Sequence, residues 1–170
     1  MTLRYRPIAT PLGQMLIAAQ AQGLAGAWFE GQQHMPDVSG WQLVKADPTL
    51  DEAQTQLVQY MRGERDAFEL KLAPAWGTEF QRSVWHALQG VGFGSTTSYG
   101  HLAQLLNKPQ AARAVGAAVG RNPWSVIVPC HRVLGAQGAL TGYAGGLERK
   151  VALLKLEGVA TLAKFDLNAR

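Results

Sequence analysis

The chain has 170 residues, 47% hydrophobic and 16% charged, a balance that suits one or two compact domains with apolar cores and excludes a disordered or fibrous protein. Arg, Gln, Glu or Gly interrupts every apolar run before it reaches the roughly 18 to 20 residues of a membrane-spanning helix, so no integral membrane segment is expected. Residues 1–7 lack the apolar core and small-residue cleavage site of a signal peptide. A single cysteine, Cys130, excludes an intramolecular disulfide and an all-cysteine zinc site. The expectation is a cytoplasmic protein whose lone thiol stays reduced.

The first sheet is expected from three short apolar or alternating runs, residues 3–8, 15–19 and 24–29, separated by Pro11-Leu12-Gly13 and Gln22-Gly23, which read as an antiparallel meander. After a polar loop over residues 31–48, Leu50, Ala53, Leu57, Tyr60 and Met61 recur at helical spacing until Gly63, enough to cover one face of that sheet. Residues 68–72 have the composition of one more strand. The Pro and Gly punctuation of residues 73–77 reads as a domain junction, giving domains over 1–77 and 78–170.

Beyond the junction, Thr78-Glu79-Phe80-Gln81 matches a capping box that opens a helix with Phe80, Val84, Ala87 and Leu88 on one stripe. Ser98 is placed to cap a second helix bearing Leu102, Ala103, Leu105 and Leu106, stopped at Asn107-Lys108-Pro109. A third helix follows over residues 110–120, and the pair has the proportions of a helix-turn-helix. At 100° per residue its core face is Ala111, Ala114, Val115, Ala118 and Val119, leaving Arg113, Gly116, Ala117 and Gly120 on the other. One arginine among tiny residues suits a helix seated deep in a groove. The same face also suits a close helix-helix contact, and both readings stand at this point.

Charge is unevenly spread. Lys and Arg number 16 against 12 acids, a net charge of +4, and residues 1–75 hold six of the bases with eight of the acids. From Phe80 to Leu147 there are five bases (Arg82, Lys108, Arg113, Arg121, Arg132) and no acid, so a polyanion meets no side-chain repulsion there. A solubility setting accounts for the same excess.

The β-branched run at residues 125–128 reads as a buried strand delivering Pro129-Cys130-His131-Arg132-Val133 at its end. A free thiol is only slightly ionised at neutral pH, so a nucleophilic cysteine needs a base or a positive charge nearby, and His131 and Arg132 supply both types. A single cysteine is equally a small buried hydrophobe. His34, His86 and His101 show no metal-ligand spacing and read as surface or structural, Trp76 and Trp85 as packing between the domains, and Met15 and Met61 as core.

From Phe80 to Gly158 the sequence resembles the catalytic domain of the O6-alkylguanine-DNA alkyltransferases (methylated-DNA-protein-cysteine S-methyltransferases). The likeness is carried by Pro129 to Val133, by Arg113-Ala114-Val115-Gly116 and Asn122-Pro123 upstream, and by Gly142-Tyr143-Ala144-Gly145-Gly146, Leu153-Leu154 and Glu157-Gly158 downstream. The N-terminal region is similar to that family's smaller domain. The resemblance implies an α/β protein: a small antiparallel sheet plus helix of ribonuclease H-like type, then a mostly helical domain with a winged helix-turn-helix. It implies direct repair of O6-alkylguanine, and of O4-alkylthymine, by irreversible transfer of the alkyl group to Cys130 once the nucleotide has been flipped out.

In that scheme His131 takes the thiol proton through a water, Glu157 orients the imidazole, and Asn122 braces the turn. Tyr99 displaces the 3′ phosphate, and its hydroxyl or that of Tyr143 donates to the purine. Arg113 fills the gap in the base stack, with Ala112, Gly116, Ala117 and Gly120 along the DNA. Val133, Tyr143, Ala144, Gly145 and Trp124 line the base pocket. The partner implied is double-stranded DNA bound through the minor groove without sequence preference, by a monomer, with cooperativity on DNA left open, and with no cofactor and no metal.

Overall fold

In the computed structural model residues 2–159 are described. They fall into two units, each with its own core: residues up to Trp76 with Pro123–Ile127, and Gly77–Asn122 with the residues from Val128 on. Residues 123–127, expected in the second domain, thus contribute to the first.

The first unit holds β1 (Arg4–Thr10), β2 (Gly13–Gln20), β3 (Gly23–Phe29), β4 (Gln42–Leu43) and α1 (Pro48–Met61), with strand order β3-β2-β1-β4. The expected meander is present. β1 and β2 pair antiparallel with Ile8 opposite Met15 and Thr10 opposite Gly13, and Gly13 supplies the positive φ (121°) that so short a turn requires. β4 joins β1 in parallel as a two-residue edge. Asp47 starts α1, its carboxylate accepting from the Leu50 amide, and Pro48 sits where a missing N–H costs nothing. Leu50, Ala53, Leu57, Tyr60 and Met61 are buried, as their spacing predicts. A second cluster gathers Trp28, Trp41, Trp76 and Tyr5, with Trp28 and Trp76 stacked at 6.0 Å. Trp76 therefore packs within its own unit.

Two expected strands are absent. Residues 68–72 make only a single bridge, Leu72 to Leu24, with the Leu24 amide donating to the Lys71 carbonyl at 2.8 Å before Pro74 closes the segment. The run at residues 125–128 is a turn. Trp124 bridges Ala27 on the same edge of β3, Ser125 donates to the Ala27 carbonyl, and the chain then reverses with Val126 at φ 75°. A β-branched residue in the left-handed region is held there only by its surroundings, and Val126 is 1% exposed. Apolar, β-branched composition signals burial, and burial alone does not provide a partner strand.

The second unit contains α2 (Glu79–Leu88), β5 (Thr97–Ser98), α3 (Tyr99–Leu105), α4 (Ala112–Gly120), β6 (Val133–Leu134) and α5 (Leu147–Leu156). The capping box forms in both directions, Gln81 amide to Thr78 hydroxyl at 3.1 Å and Thr78 amide to Gln81 side chain at 3.0 Å. Ser98 caps α3 through the His101 amide, and Asn107 at φ 58° ends that helix in the conformation asparagine tolerates. α4 begins at Ala112, two residues later than expected, because residues 108–111 close a turn from the Ala111 amide to the Lys108 carbonyl. Val84, Trp85, Leu88, Leu102, Ala103, Val115 and Ala118 form the core that α2, α3 and α4 share. Trp85 belongs to it, its indole donating to the Ala118 carbonyl at 2.8 Å, and Ala114 lies outside it, exposed. β5 and β6 pair in parallel, Thr97 with Val133, which brings the start of α3 beside the chain leaving Cys130. Among the described residues no helix is long and apolar enough to cross a membrane.

Candidate active site

Cys130, His131 and Arg132 form one 3-10 turn between the reversal at Val126 and β6, and all three are buried. Asn122 fixes the turn from behind. It follows α4 directly and is 4% exposed, and its amide nitrogen donates to the Val128 carbonyl at 2.9 Å and to Cys130 Sγ at 3.1 Å. A side chain with two N–H groups is needed for that double contact, and Asn has the length for it.

Glu157 caps the end of α5, and its side chain is 0% exposed. A carboxylate there is tolerable only if fully hydrogen-bonded. It accepts from His131 Nε2 at 2.7 Å, from Arg132 Nε at 2.8 Å and Nη2 at 3.0 Å, and from the Gly94 amide at 3.4 Å. With Nε2 donating to the carboxylate, His131 Nδ1 carries a lone pair, and that buried atom has no hydrogen-bond partner among the described residues. The imidazole is thus a neutral base with one open acceptor.

Electrostatics agree with that assignment. Burial first, then the charges of Arg132 and Lys150, hold His131 well below the usual imidazole range. Burial pushes the Glu157 carboxyl up to about 7, with the Gly94 amide opposing. Burial likewise pushes the Cys130 thiol up, while Asn122, Lys150 and Tyr143 favour the thiolate. At rest, then, the sulfur carries its proton, and a reaction at sulfur requires the proton to leave as attack begins.

The remaining predicted residues divide between the thiol and a helical face. Val133 is buried on β6, Gly145 is buried, and Tyr143 and Ala144 are half-buried on the loop after β6. Tyr99, the first residue of α3, shares a hydrogen bond of 3.1 Å with the Thr141 hydroxyl on that loop. On α4, Arg113 and Ala117 are exposed, and Ala112, Gly116 and Gly120 are half-buried. A Cβ on Gly116 would stand 3.6 Å from the Tyr99 ring, so a small residue there lets α4 lie close to that tyrosine. Trp124, expected in the base pocket, sits elsewhere in the chain's organisation. It is a core residue of the first unit, 3% exposed, its indole donating to the Leu24 carbonyl at 2.9 Å.

Arg132 is not part of a cationic surface, since it is spent on Glu157. Arg82, Lys108, Arg113 and Arg121 remain exposed. Two partners escaped the sequence reading, the Arg132–Glu157 fork and Lys150, which is 0% exposed with Nζ donating to the Val133 carbonyl at 2.6 Å and the Thr141 carbonyl at 3.2 Å. The signal for Lys150 was present: it lies seven residues before Glu157, on the face of α5 that also holds Leu153 and Leu154. Among the described residues no group of three His, Cys, Asp or Glu side chains gathers as a metal site.

The class is thereby defined as a protein with a buried thiol followed in sequence by a buried His131–Glu157 pair, in a unit that also carries a helix-turn-helix. Residues 79–159 match the 6-O-methylguanine DNA methyltransferase DNA binding domain, and residues 3–74 match the ribonuclease-like domain of the same family. The chain belongs to the 6-O-methylguanine DNA methyltransferase family. It is 46% identical over 155 residues to the methylated-DNA–protein-cysteine methyltransferase of Methanosarcina acetivorans, a match covering 91% of this chain and 97% of that one. With the protein of that name from Mycolicibacterium paratuberculosis the identity is 42% over 167 residues, 96% of this chain and 99% of the other. The crystal structure of Mycobacterium tuberculosis OGT in complex with DNA is similar at a TM-score of 0.84 and 42% identity, covering 96% of this chain and 99% of that one.

Proposed function

We propose that this protein repairs DNA by direct reversal, moving an alkyl group from O6 of guanine, and from O4 of thymine, onto Cys130 in a single event per molecule. The observation that carries the reading is the open Nδ1 of His131, a buried acceptor on the residue that follows a buried thiol, backed by a carboxylate held by His131 and Arg132. A water bridging Sγ and Nδ1 takes the proton from sulfur to imidazole. The carbon–sulfur bond forms as the carbon–oxygen bond breaks, the leaving electron pair stays on the purine, and a Tyr99 or Tyr143 hydroxyl donates to the charge developing there. The imidazolium is stabilised by Glu157. Because the product is a thioether, no step regenerates the thiol.

The target carbon of a stacked base is shielded inside the duplex, so the nucleotide must rotate into the site, at a cost of a few kcal/mol that a damaged pair lowers. The α4 face supports minor-groove entry: Ala112, Gly116, Ala117 and Gly120 let the helix approach closely, and Arg113 is the long side chain able to occupy the vacated stack. That face carries no Asn, Gln or Ser to read major-groove edges, which favours binding without sequence preference. Double-stranded DNA is the partner, the protein acts as a monomer, and a thiol that must stay reduced suits the cytoplasm. The test is titration with duplex containing one O6-methylguanine. Repair should stop after one equivalent of lesion, whereas continued turnover would overturn the reading in favour of a thiol hydrolase.

A further inference from the structure

The reaction proposed above leaves Lys150 without a task, although an ammonium that is 0% exposed is expensive to keep. Among the described residues no carboxylate pairs with it. Its Nζ rests on two neutral carbonyls, those of Val133 and Thr141. A neutral amide donor would satisfy those two oxygens equally well, so hydrogen bonding alone does not account for a charge at this position. The Glu157 carboxylate is already filled by His131, Arg132 and Gly94. Lys150 holds the carbonyl of Val133, whose amide donates to the Cys130 carbonyl, so the ammonium lies against the 3-10 turn that carries the sulfur, and the sulfur is where negative charge arises.

We infer that Lys150 is a positioning residue for the transfer, the standing counter-charge of the Cys130 sulfur, and that it simultaneously pins the Thr141 segment to β6. This rests on the reading of Cys130 as the alkyl acceptor. The ionisable groups on the Cys130 turn and the segments packed against it are His131 and Arg132 on the turn itself, Tyr143 and, through Thr141, Tyr99 on the loop side, and Lys150 and Glu157 from α5. Glu148 and Lys155 on that helix are exposed to water. When the thiol proton passes to His131, negative charge grows on the sulfur, whose turn Lys150 holds through Val133, while positive charge grows on the imidazole bonded to Glu157. Each end of the new dipole thus meets an opposite charge already in place, and Lys150 keeps its own protons throughout. The mutual influence runs both ways: Lys150 favours the thiolate, and the thiolate opposes the burial that draws Lys150 down to about 8. The Thr141 hydroxyl, whose backbone Lys150 holds, is the group that engages Tyr99.

The test separates the charge from the hydrogen bonds. Lys150→Gln retains two N–H donors for the Val133 and Thr141 carbonyls and removes the charge. The full-length protein is treated with iodoacetamide from pH 6 to about 11.5, a range that reaches past a raised thiol, alkylation of Cys130 is followed by intact mass, and thermal unfolding is recorded beside it. The alkylation midpoint should rise by about one pH unit or more in Lys150→Gln, with the rate at pH 7 falling about tenfold. A folded Lys150→Gln protein with an unmoved midpoint would overturn the inference, leaving Lys150 a structural strut. If that variant does not fold, Lys150→Arg decides: a midpoint like that of the parent supports the counter-charge, and a raised one contradicts it. Because iodoacetamide needs no DNA, a shifted midpoint in a protein that fails to take a methyl group from DNA would refute the repair reading and leave the Lys150–Cys130 pairing standing.

Discussion

Removing the Glu157 carboxylate should damage stability and chemistry separately, and the two losses can be told apart. Glu157→Ala leaves the Arg132 guanidinium, 7% exposed, without its counter-ion, and leaves His131 Nε2 without its acceptor. Breaking one side of a buried ion pair costs about 3 to 5 kcal/mol, and at roughly 2 to 4 °C per kcal/mol for a chain of this size the unfolding midpoint should fall by about 10 °C. Replacing both partners together, Glu157→Leu with Arg132→Met, puts apolar volume where the pair stood and should recover most of that loss. It should not recover transfer, because the imidazole still lacks its carboxylate. A positioned base supplies about 10²- to 10⁴-fold, so both proteins should react with methylated duplex at least about tenfold more slowly than the parent. Circular dichroism melts and single-turnover transfer of a labelled methyl group read the two effects. A single variant melting with the parent, or a double variant as fast as the parent, would refute the relay reasoning.

Arg113→Ala should slow repair of duplex DNA by about tenfold or more, since the few kcal/mol of unstacking then go uncompensated, and should leave reaction with free O6-benzylguanine nearly unchanged. Equal losses in the two assays would remove the wedge role. On the acid side, transfer should decline as pH drops through about 7, where Glu157 gains its proton and no longer stabilises the imidazolium. Glu157→Gln should lack that limb in a pH–rate profile. Gly26→Ala places a Cβ 2.1 Å from the Trp28 ring, in a cluster that a rigid indole cannot leave, and should lower the urea midpoint by an amount equivalent to about 1 to 3 kcal/mol.

What the sequence disclosed follows what local chemistry encodes. The capping box at Thr78, the Ser98 cap and the apolar spacing of α1 are short-range features and formed as read. Cys130, His131 and Glu157 were singled out, and the structure brings them together with Asn122. Where the reading failed, the missing information was long-range. Residues 125–128 have strand composition, yet the edge of β3 accepts only Trp124, and the segment turns. Its place beside Asn122-Pro123 leaves Trp124 open to a pocket wall or a core aromatic, and the core is what forms, its indole satisfied by Leu24, a hundred residues away in sequence. Arg132 was counted with the cations open to a polyanion, whereas pairing with Glu157 withdraws it. A sequence records charge and not the partner that cancels it.

Cys130 as the alkyl acceptor is tested most directly by where the alkyl carbon ends up. Incubation with duplex carrying an isotopically labelled O6-methylguanine, followed by intact mass and peptide mapping, should show a single added methyl group on the peptide containing Cys130, with unmodified guanine left in the DNA. No addition should occur in Cys130→Ser, which should still bind DNA. A label on any other side chain, or repaired DNA with an unmodified protein, would contradict it.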